Sequence, residues 1–279
     1  IGGTATLIGD PPNIMIGSAA GLSFADFVMV DAPAAIICLI VMIGLFYLLF
    51  GRKFKVDEEH RRALMERDER EEIKNPTLLR QSVIMIILVT AGFMLHGSLG
   101  IESCVVALTA AGILMLISGE RIEEALAHVE WTTLVFFAGL FIIVGALSEV
   151  GVIGMLAQAL IDVTGGSTFV AMLVLLFASA IISSFLDNIP FVATMIPILL
   201  SMEATGMDVA PLWWAVSLGA CLGGNGTLIG ASANVVMSDI SRKNGHVITF
   251  AHFFKVGFPT MLATVAVSAI YLIVRFPPM

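Results

Sequence analysis

Two acidic residues and their neighbours are the part of this chain best suited to chemistry. Asp187 and Asn188 lie at the centre of Ser-Ser-Phe-Leu-Asp-Asn-Ile-Pro-Phe, residues 183–191, between apolar runs over 169–182 and 191–200. An ionisable side chain inside a membrane costs about 2.5 to 3.5 kcal/mol on insertion scales, so an acid in such a setting marks a functional position. A carboxylate there can load and release a proton. With adjacent carbonyl oxygens it can also hold a hard cation, which makes Asp187 and Asn188 a candidate sodium site. Short apolar arms around a polar tip, with Pro190 at the start of a new helix, predict a re-entrant hairpin over 168–202. The competing reading is that Asp187 only caps the hairpin helix. Asp10, before Pro11 and Pro12, faces the same choice, because an acid before prolines is a good helix-start residue. A dyad of Asp10 and Asp187 sharing one proton, as in an aspartyl enzyme, is disfavoured, because the two acids sit in different segments and neither is doubled. The chain reads as a non-enzyme without cofactor, using H+ or Na+ as coupling ion.

Asp10 belongs to a segment that occurs twice, over residues 1–13 and 222–234. Gly2, Gly3, Thr6, Leu7, Ile8, Gly9 and Asn13 align with Gly223, Gly224, Thr227, Leu228, Ile229, Gly230 and Asn234. Pro11 and Pro12 cannot both continue a helix, so a break over residues 9–12 is expected. In the second copy, Gly223, Gly224, Gly226 and Gly230 make unwinding inexpensive. Residues 211–222 span about 18 Å as a helix, short of the roughly 30 Å hydrocarbon core, so the second copy also reads as two half-helices. Unwound backbone within lipid is tolerated only where it lines a cavity or is buried in protein. Paired breaks of this kind are the mark of a repeat-built transporter with its solute near the midplane. The polar residues at the breaks, Thr6, Asp10, Asn13, Asn225, Thr227, Ser232 and Asn234, join Ser184, Asp187 and Asn188 as candidate substrate and ion ligands. A small-residue packing seam is the competing reading, and it leaves those polar residues unexplained.

The elements that position these residues are membrane spans. Hydrophobic residues make up 58% of the chain, charged residues 13%, and the mean hydropathy is +0.99, far from soluble averages. Runs near the 18 to 20 or so apolar residues of a span cover 32–50, 82–99, 103–118, 131–147, 168–186 and 258–274. The fold class is all-α: a polytopic membrane protein with inverted repeats, two broken helices and a re-entrant hairpin. Residues 1–50 read as the end of a first repeat and 51–80 as a charged linker. Residues 81–279 read as the second repeat: scaffold spans 81–148, hairpin 168–202, broken helix 211–241 and last span 257–275. The start at Ile1, inside a repeat unit, reads as a fragment whose first repeat is incomplete.

Nine of the 14 Lys and Arg residues fall between Gly51 and Arg80, which sets that loop on the cytoplasmic side of an inner (plasma) membrane. Its Asp57/Arg61, Glu58/Arg62 and Glu66/Arg70 spacings predict a solvated helix ending near Pro76. A net charge of -8 argues against nucleic acid as a partner. Cys38, Cys104 and Cys221 lie in apolar stretches without metal-ligand spacing and read as small buried hydrophobes.

The motifs Gly-Thr-Ala-Thr-Leu-Ile-Gly-Asp-Pro-Pro-Asn, Leu-Asp-Asn-Ile-Pro-Phe-Val-Ala-Thr-Met-Ile-Pro and Leu-Gly-Gly-Asn-Gly-Thr-Leu-Ile-Gly-Ala-Ser-Ala-Asn resemble those of the ion transporter superfamily. The likeness is to the branch holding arsenite permeases, NhaD-type sodium/proton antiporters and the melanosomal P protein. It covers nearly the whole chain apart from the charged loop. The resemblance implies an elevator-type transporter in which each repeat contributes a hairpin and a broken helix. It sets Ser184, Asp187 and Asn188 opposite Asn225, Thr227, Ser232 and Asn234, and leaves Thr6, Asp10 and Asn13 to face a first hairpin outside this chain. The sodium-dependent carboxylate branch carries Ser-Asn-Thr at the tip, so Asp187 favours proton coupling. Arsenite or antimonite export is the first expectation, sodium/proton exchange the second, and di- or tricarboxylate transport or an anion channel the third. The partners expected are a small inorganic ion or anion, membrane lipid and a second copy in a homodimer.

Overall fold

The computed structural model describes residues 1–51, 58–66, 73, 75–119, 121–129 and 131–278. A 3-10 turn (Gly3–Ala5) precedes α1 (Pro11–Ala20) and α2 (Phe24–Phe50). Then come α3 (Glu58–Met65), α4 (Pro76–Leu99), α5 (Ser103–Ser118) and α6 (Ile122–Ala127). The chain continues through α7 (Trp131–Glu149), α8 (Val152–Val163), α9 (Thr168–Phe185), α10 (Asn188–Ala204), α11 (Ala210–Gly223), α12 (Ser232–Lys243) and α13 (Phe250–Arg275). No strand occurs among the described residues, so the protein is all-α. Among those residues α2, α4, α9 and α13 are each long and apolar enough to cross a membrane, which makes this an integral membrane protein. The hairpin arm α9 thus has the length of a span by itself.

Two compact units divide the chain: residues 1–43 with 132–279, and residues 44–131. In the first unit α11 is the central helix, with every residue from Pro211 to Gly223 buried. A helix apolar on all sides is stable only when surrounded, and α9, α10, α13 and α1 surround this one. The closest approach is to α9. A methyl group on Gly219 would stand 2.6 Å from the Leu176 carbonyl oxygen, and one on Gly223 2.6 Å from that of Ala180. Gly219 and Gly223, four residues apart, therefore do form a small-residue seam, just before the break. Ser183 Oγ donates across it to the Ala220 carbonyl at 2.8 Å. On α2, Phe27 meets Trp214 of α11 edge to face at 5.1 Å, and Tyr271 of α13 donates to the Val30 carbonyl at 2.7 Å.

Residues 131–147, expected as a span, lie within α7, and α8 follows it at a 72° bend. Gly151, at φ 79°, makes that corner, the left-handed conformation that ends helices most easily at glycine. The α8 helix itself was not foreseen.

In the second unit α4 and α5 pack as a hairpin. Gly92 lets Val106 approach, and Gln81 Nε2 donates to the Ile117 carbonyl at 3.0 Å. Pro76 opens α4 rather than closing a helix before it, with the Asn75 side chain accepting from Leu78 N at 3.0 Å. The charged helix of the loop, α3, ends at Met65. Within it Glu58 pairs with Arg61 at 3.2 Å, instead of the expected Arg62. Asp57 and Arg70, members of the other two expected pairs, lie outside the described residues. Cys38 and Cys221 are buried as expected, whereas Cys104 on α5 is exposed, because only Ala110 of that helix is buried in this unit.

The α9–α11 seam yields a direct prediction. Gly219→Ala forces a methyl onto a backbone carbonyl and lowers stability by about 1–3 kcal/mol. Gly139→Ala in α7, where the added carbon meets nothing within 4 Å, leaves stability unchanged or raises it by up to about 1 kcal/mol. Melting temperatures of the two purified variants check this.

Candidate substrate and ion site

The two copies of the repeated segment fold alike. In the first, residues 6–10 leave the helical path between the 3-10 turn and α1; in the second, residues 224–231 do so between α11 and α12. The first break thus precedes the prolines, which occupy the first two positions of α1, where a missing N–H costs nothing. Each break is held by the same backbone bonds at matching positions. Gly9 N donates to Thr6 O and Gly230 N to Thr227 O, both at 3.2 Å; Asn13 N donates to Asp10 O at 3.0 Å and Asn234 N to Ala231 O at 3.1 Å.

Each break is also closed by one asparagine. Asn13 Nδ2 donates to the carbonyls of Thr4 and Thr6 at 3.3 and 3.1 Å. Asn234 Nδ2 donates to those of Gly224 and Thr227 at 2.8 and 3.0 Å. The loop so formed crosses itself tightly. A methyl on Gly9 would stand 2.2 Å from Gly3 O, and one on Gly230 2.8 Å from Gly224 O. None of these glycines has a positive φ. Their role is close approach of backbone to backbone, not the cheap unwinding that the sequence suggests.

The hairpin tip, between α9 and α10, meets both breaks. Ser184 is fully buried; its Oγ donates to Ala180 O at 2.7 Å or Gly223 O at 3.0 Å, and its carbonyl accepts from Thr227 Oγ1. Asn188, the first residue of α10, donates through Nδ2 to Asp10 Oδ2 at 3.1 Å. Asp187 is half-buried and caps α10, Oδ1 accepting from Ile189 N at 3.0 Å. Asp10 occupies the cap position of α1 but makes no capping bond, its carboxylate being turned to the hairpin. Two helix N-termini therefore converge here, each with an acid at its cap and Asn188 between the two acids.

The structure brings some of the expected site residues together and leaves others apart. Asp10 meets the hairpin of this chain, and Asn13 and the Thr6 carbonyl are engaged within the first break and α11. Asn188 is paired with Asp10 rather than set against Asn225 and Asn234. Asn225 Nδ2 bonds back to Leu222 O at 3.1 Å, while Ser232 is exposed at the start of α12 and its side chain bonds no described residue. At the position equivalent to Asp10 the second copy has Ala231, so the α12 N-terminus carries no side-chain cap.

Three residues that sequence reasoning missed extend the site. Asn13 Oδ1 accepts from Ser217 Oγ at 2.9 Å and from Cys221 Sγ at 3.2 Å. Ser217 Oγ also stands 2.5 Å from Oδ2 of Asp31 on α2. Asp31 is wholly buried. The signal was present, since an acid in an apolar span is costly. The hydropathic run begins at Ala32, however, and so left Asp31 just outside it.

The protein is thus an all-α membrane protein whose helix breaks are repeated, closed by asparagine and flanked by half-buried acids. The chain belongs to the citrate transporter family (CitMHS), whose family model matches residues 1–219. It is similar to an uncharacterised transporter of Mycobacterium tuberculosis, 45% identical over 280 residues, covering 99% of this chain and 65% of that protein. The 46 kDa membrane protein of Mycobacterium leprae is 43% identical over 279 residues, with the same coverage. The P protein of Sus scrofa is 39% identical over 230 residues, 78% of this chain and 27% of its own length. The chain thus spans about 65% of the length of the mycobacterial relatives.

The closure by asparagine can be tested by truncation. Asn234→Ala removes the donor to two carbonyls and lowers stability by about 1–3 kcal/mol. Asn13→Ala lowers it further, because the Ser217 and Cys221 donors lose their acceptor as well. Thermal unfolding of the two variants in detergent checks the order.

Proposed function

We propose that this chain carries the moving, ion-binding part of a proton-coupled secondary transporter that works by elevator-type alternating access. The observation that supports this reading is the Asn188–Asp10 hydrogen bond at 3.1 Å. It joins a helix break to a hairpin tip and leaves Asp10 and Asp187 at the ends of two helices, where negative charge is favoured. A site of this kind suits a proton or a cation. The second break differs. With Ala231 in place of an acid, the amides opening α12 are available to oxygens of a solute, alongside Asn225 and Ser232. No Lys or Arg lies in either break or in the tip, so a neutral polyhydroxyl species such as arsenite or antimonite fits without a compensating cation.

A second reading, a carboxylate such as citrate carried with protons, is favoured by the family model's description and uses the same α12 N-terminus. In both readings the 51–80 loop is cytoplasmic, the membrane is the plasma membrane and the protein works as a homodimer.

The experiment is proton flux in proteoliposomes that hold the complete protein and a trapped pH dye, with arsenite, citrate or sodium added in turn. Arsenite-dependent flux that Asp10→Asn and Asp187→Asn each reduce to the level of empty liposomes is the expected outcome. Flux with citrate alone selects the second reading, and flux with sodium alone replaces both by sodium/proton exchange. No flux with any solute rejects proton coupling.

A further inference from the structure

Asp31 extends the site through Ser217, and the proposed function gives it no role. It is wholly buried on α2; its Oδ2 has the Ser217 hydroxyl at 2.5 Å, and its Oδ1 is buried without any hydrogen-bond partner. No salt bridge to it forms among the described residues. The groups by it are Ser217 and Cys221 from α11 and Tyr271 from α13; Asn13 shares Ser217 with it, Asp10 lies by Cys221 and Arg275 by Tyr271. Tyr271 spends its hydroxyl proton on the Val30 carbonyl. Fully buried carboxylates are stable only when paired, metal-bound or neutralised. One hydroxyl is too few oxygens for a metal ion, which takes about six.

Ser217 is the second half of the observation. Its single proton has two acceptors, Asp31 Oδ2 at 2.5 Å and Asn13 Oδ1 at 2.9 Å, and a hydroxyl donates to one at a time. If Asp31 is ionised, Ser217 must donate to it, and Asn13 keeps only the weak Cys221 thiol donor. If Asp31 carries the proton on Oδ2, it donates to Ser217 Oγ, which then donates to Asn13. The occupancy of Asp31 by a proton thereby reaches the asparagine that closes the first break.

We propose that Asp31 is a proton-binding site of the transport cycle and that Ser217 relays its state to Asn13, tightening the first break when the proton is bound. The proton is taken from water and returned to it; no other reactant takes part. In its role in transport the proposal rests on the proton-coupled reading above. Its spectroscopic signature does not, so the two can fail separately.

The test is infrared difference spectroscopy on the complete protein in detergent, comparing wild type, Asp31→Asn and Ser217→Ala at neutral pH. The carbonyl stretch of an un-ionised carboxylic acid, shifted in heavy water, is expected in wild type and lost in Asp31→Asn. In Ser217→Ala it is expected to persist at higher frequency, because the acid has lost its acceptor. An Asp31→Asn spectrum that keeps the whole band overturns the proposal. Should that variant not fold, Ser217→Ala decides alone, and an unshifted band overturns it. A wild type that shows the Asp31 band but no solute-dependent proton flux overturns the coupled reading and not the protonation of Asp31.

Discussion

Backbone that leaves the helical path inside a bilayer must find its hydrogen-bond partners within the protein, because lipid supplies none. In this chain that requirement is met twice by one device, an asparagine at the start of the following half-helix whose carboxamide turns back onto two loop carbonyls. The device works only if the loop doubles over tightly. That explains Gly3 with Gly9 and Gly224 with Gly230, where backbone oxygens occupy the space a side chain needs. The α9–α11 seam, the Ser184 bonds and the buried α11 hold the second of these loops in place.

Given two closed loops of the same shape, the proposed function rests on where the copies differ. The first has Asp10 at its helix cap and hands it to Asn188; the second has Ala231 and an uncapped N-terminus. The first copy also shares Asn13 with Ser217 and, through it, with Asp31. Negative charge and exchangeable protons are thus gathered on one side of a pseudo-symmetric core, and neutral hydrogen-bonding capacity on the other. The proton-coupled reading proposed above assigns the ion to the first of these and the solute to the second.

Much of this could be read in the sequence, because the repeat is long and prolines and glycines punctuate it. The helical fold, the helix junction at Asp187 and the matched breaks follow from hydropathy and from Pro11, Pro12, Pro190 and the glycine cluster. Other features did not follow, for local reasons. Pro76 is equally compatible with ending one helix and opening another, and the Asn75 cap decides it. The corner at Gly151 depends on a left-handed backbone that a lone glycine in an apolar run does not announce. The partner of Asp10 is 178 residues away in the chain, and no spacing rule reaches that far. Asp31 was hidden by its place at the very edge of a hydrophobic window.

The central claim is that the first break and the hairpin tip form one site through Asp10 and Asn188. A double-mutant cycle measures it most directly, using thermal unfolding of Asp10→Ala, Asn188→Ala and the double variant in the complete protein. A hydrogen bond to a charged group predicts a coupling energy of about 1.5–3 kcal/mol between them. Effects that add to within about 0.5 kcal/mol would mean that the two residues do not interact, and that the acids belong to separate places in the protein.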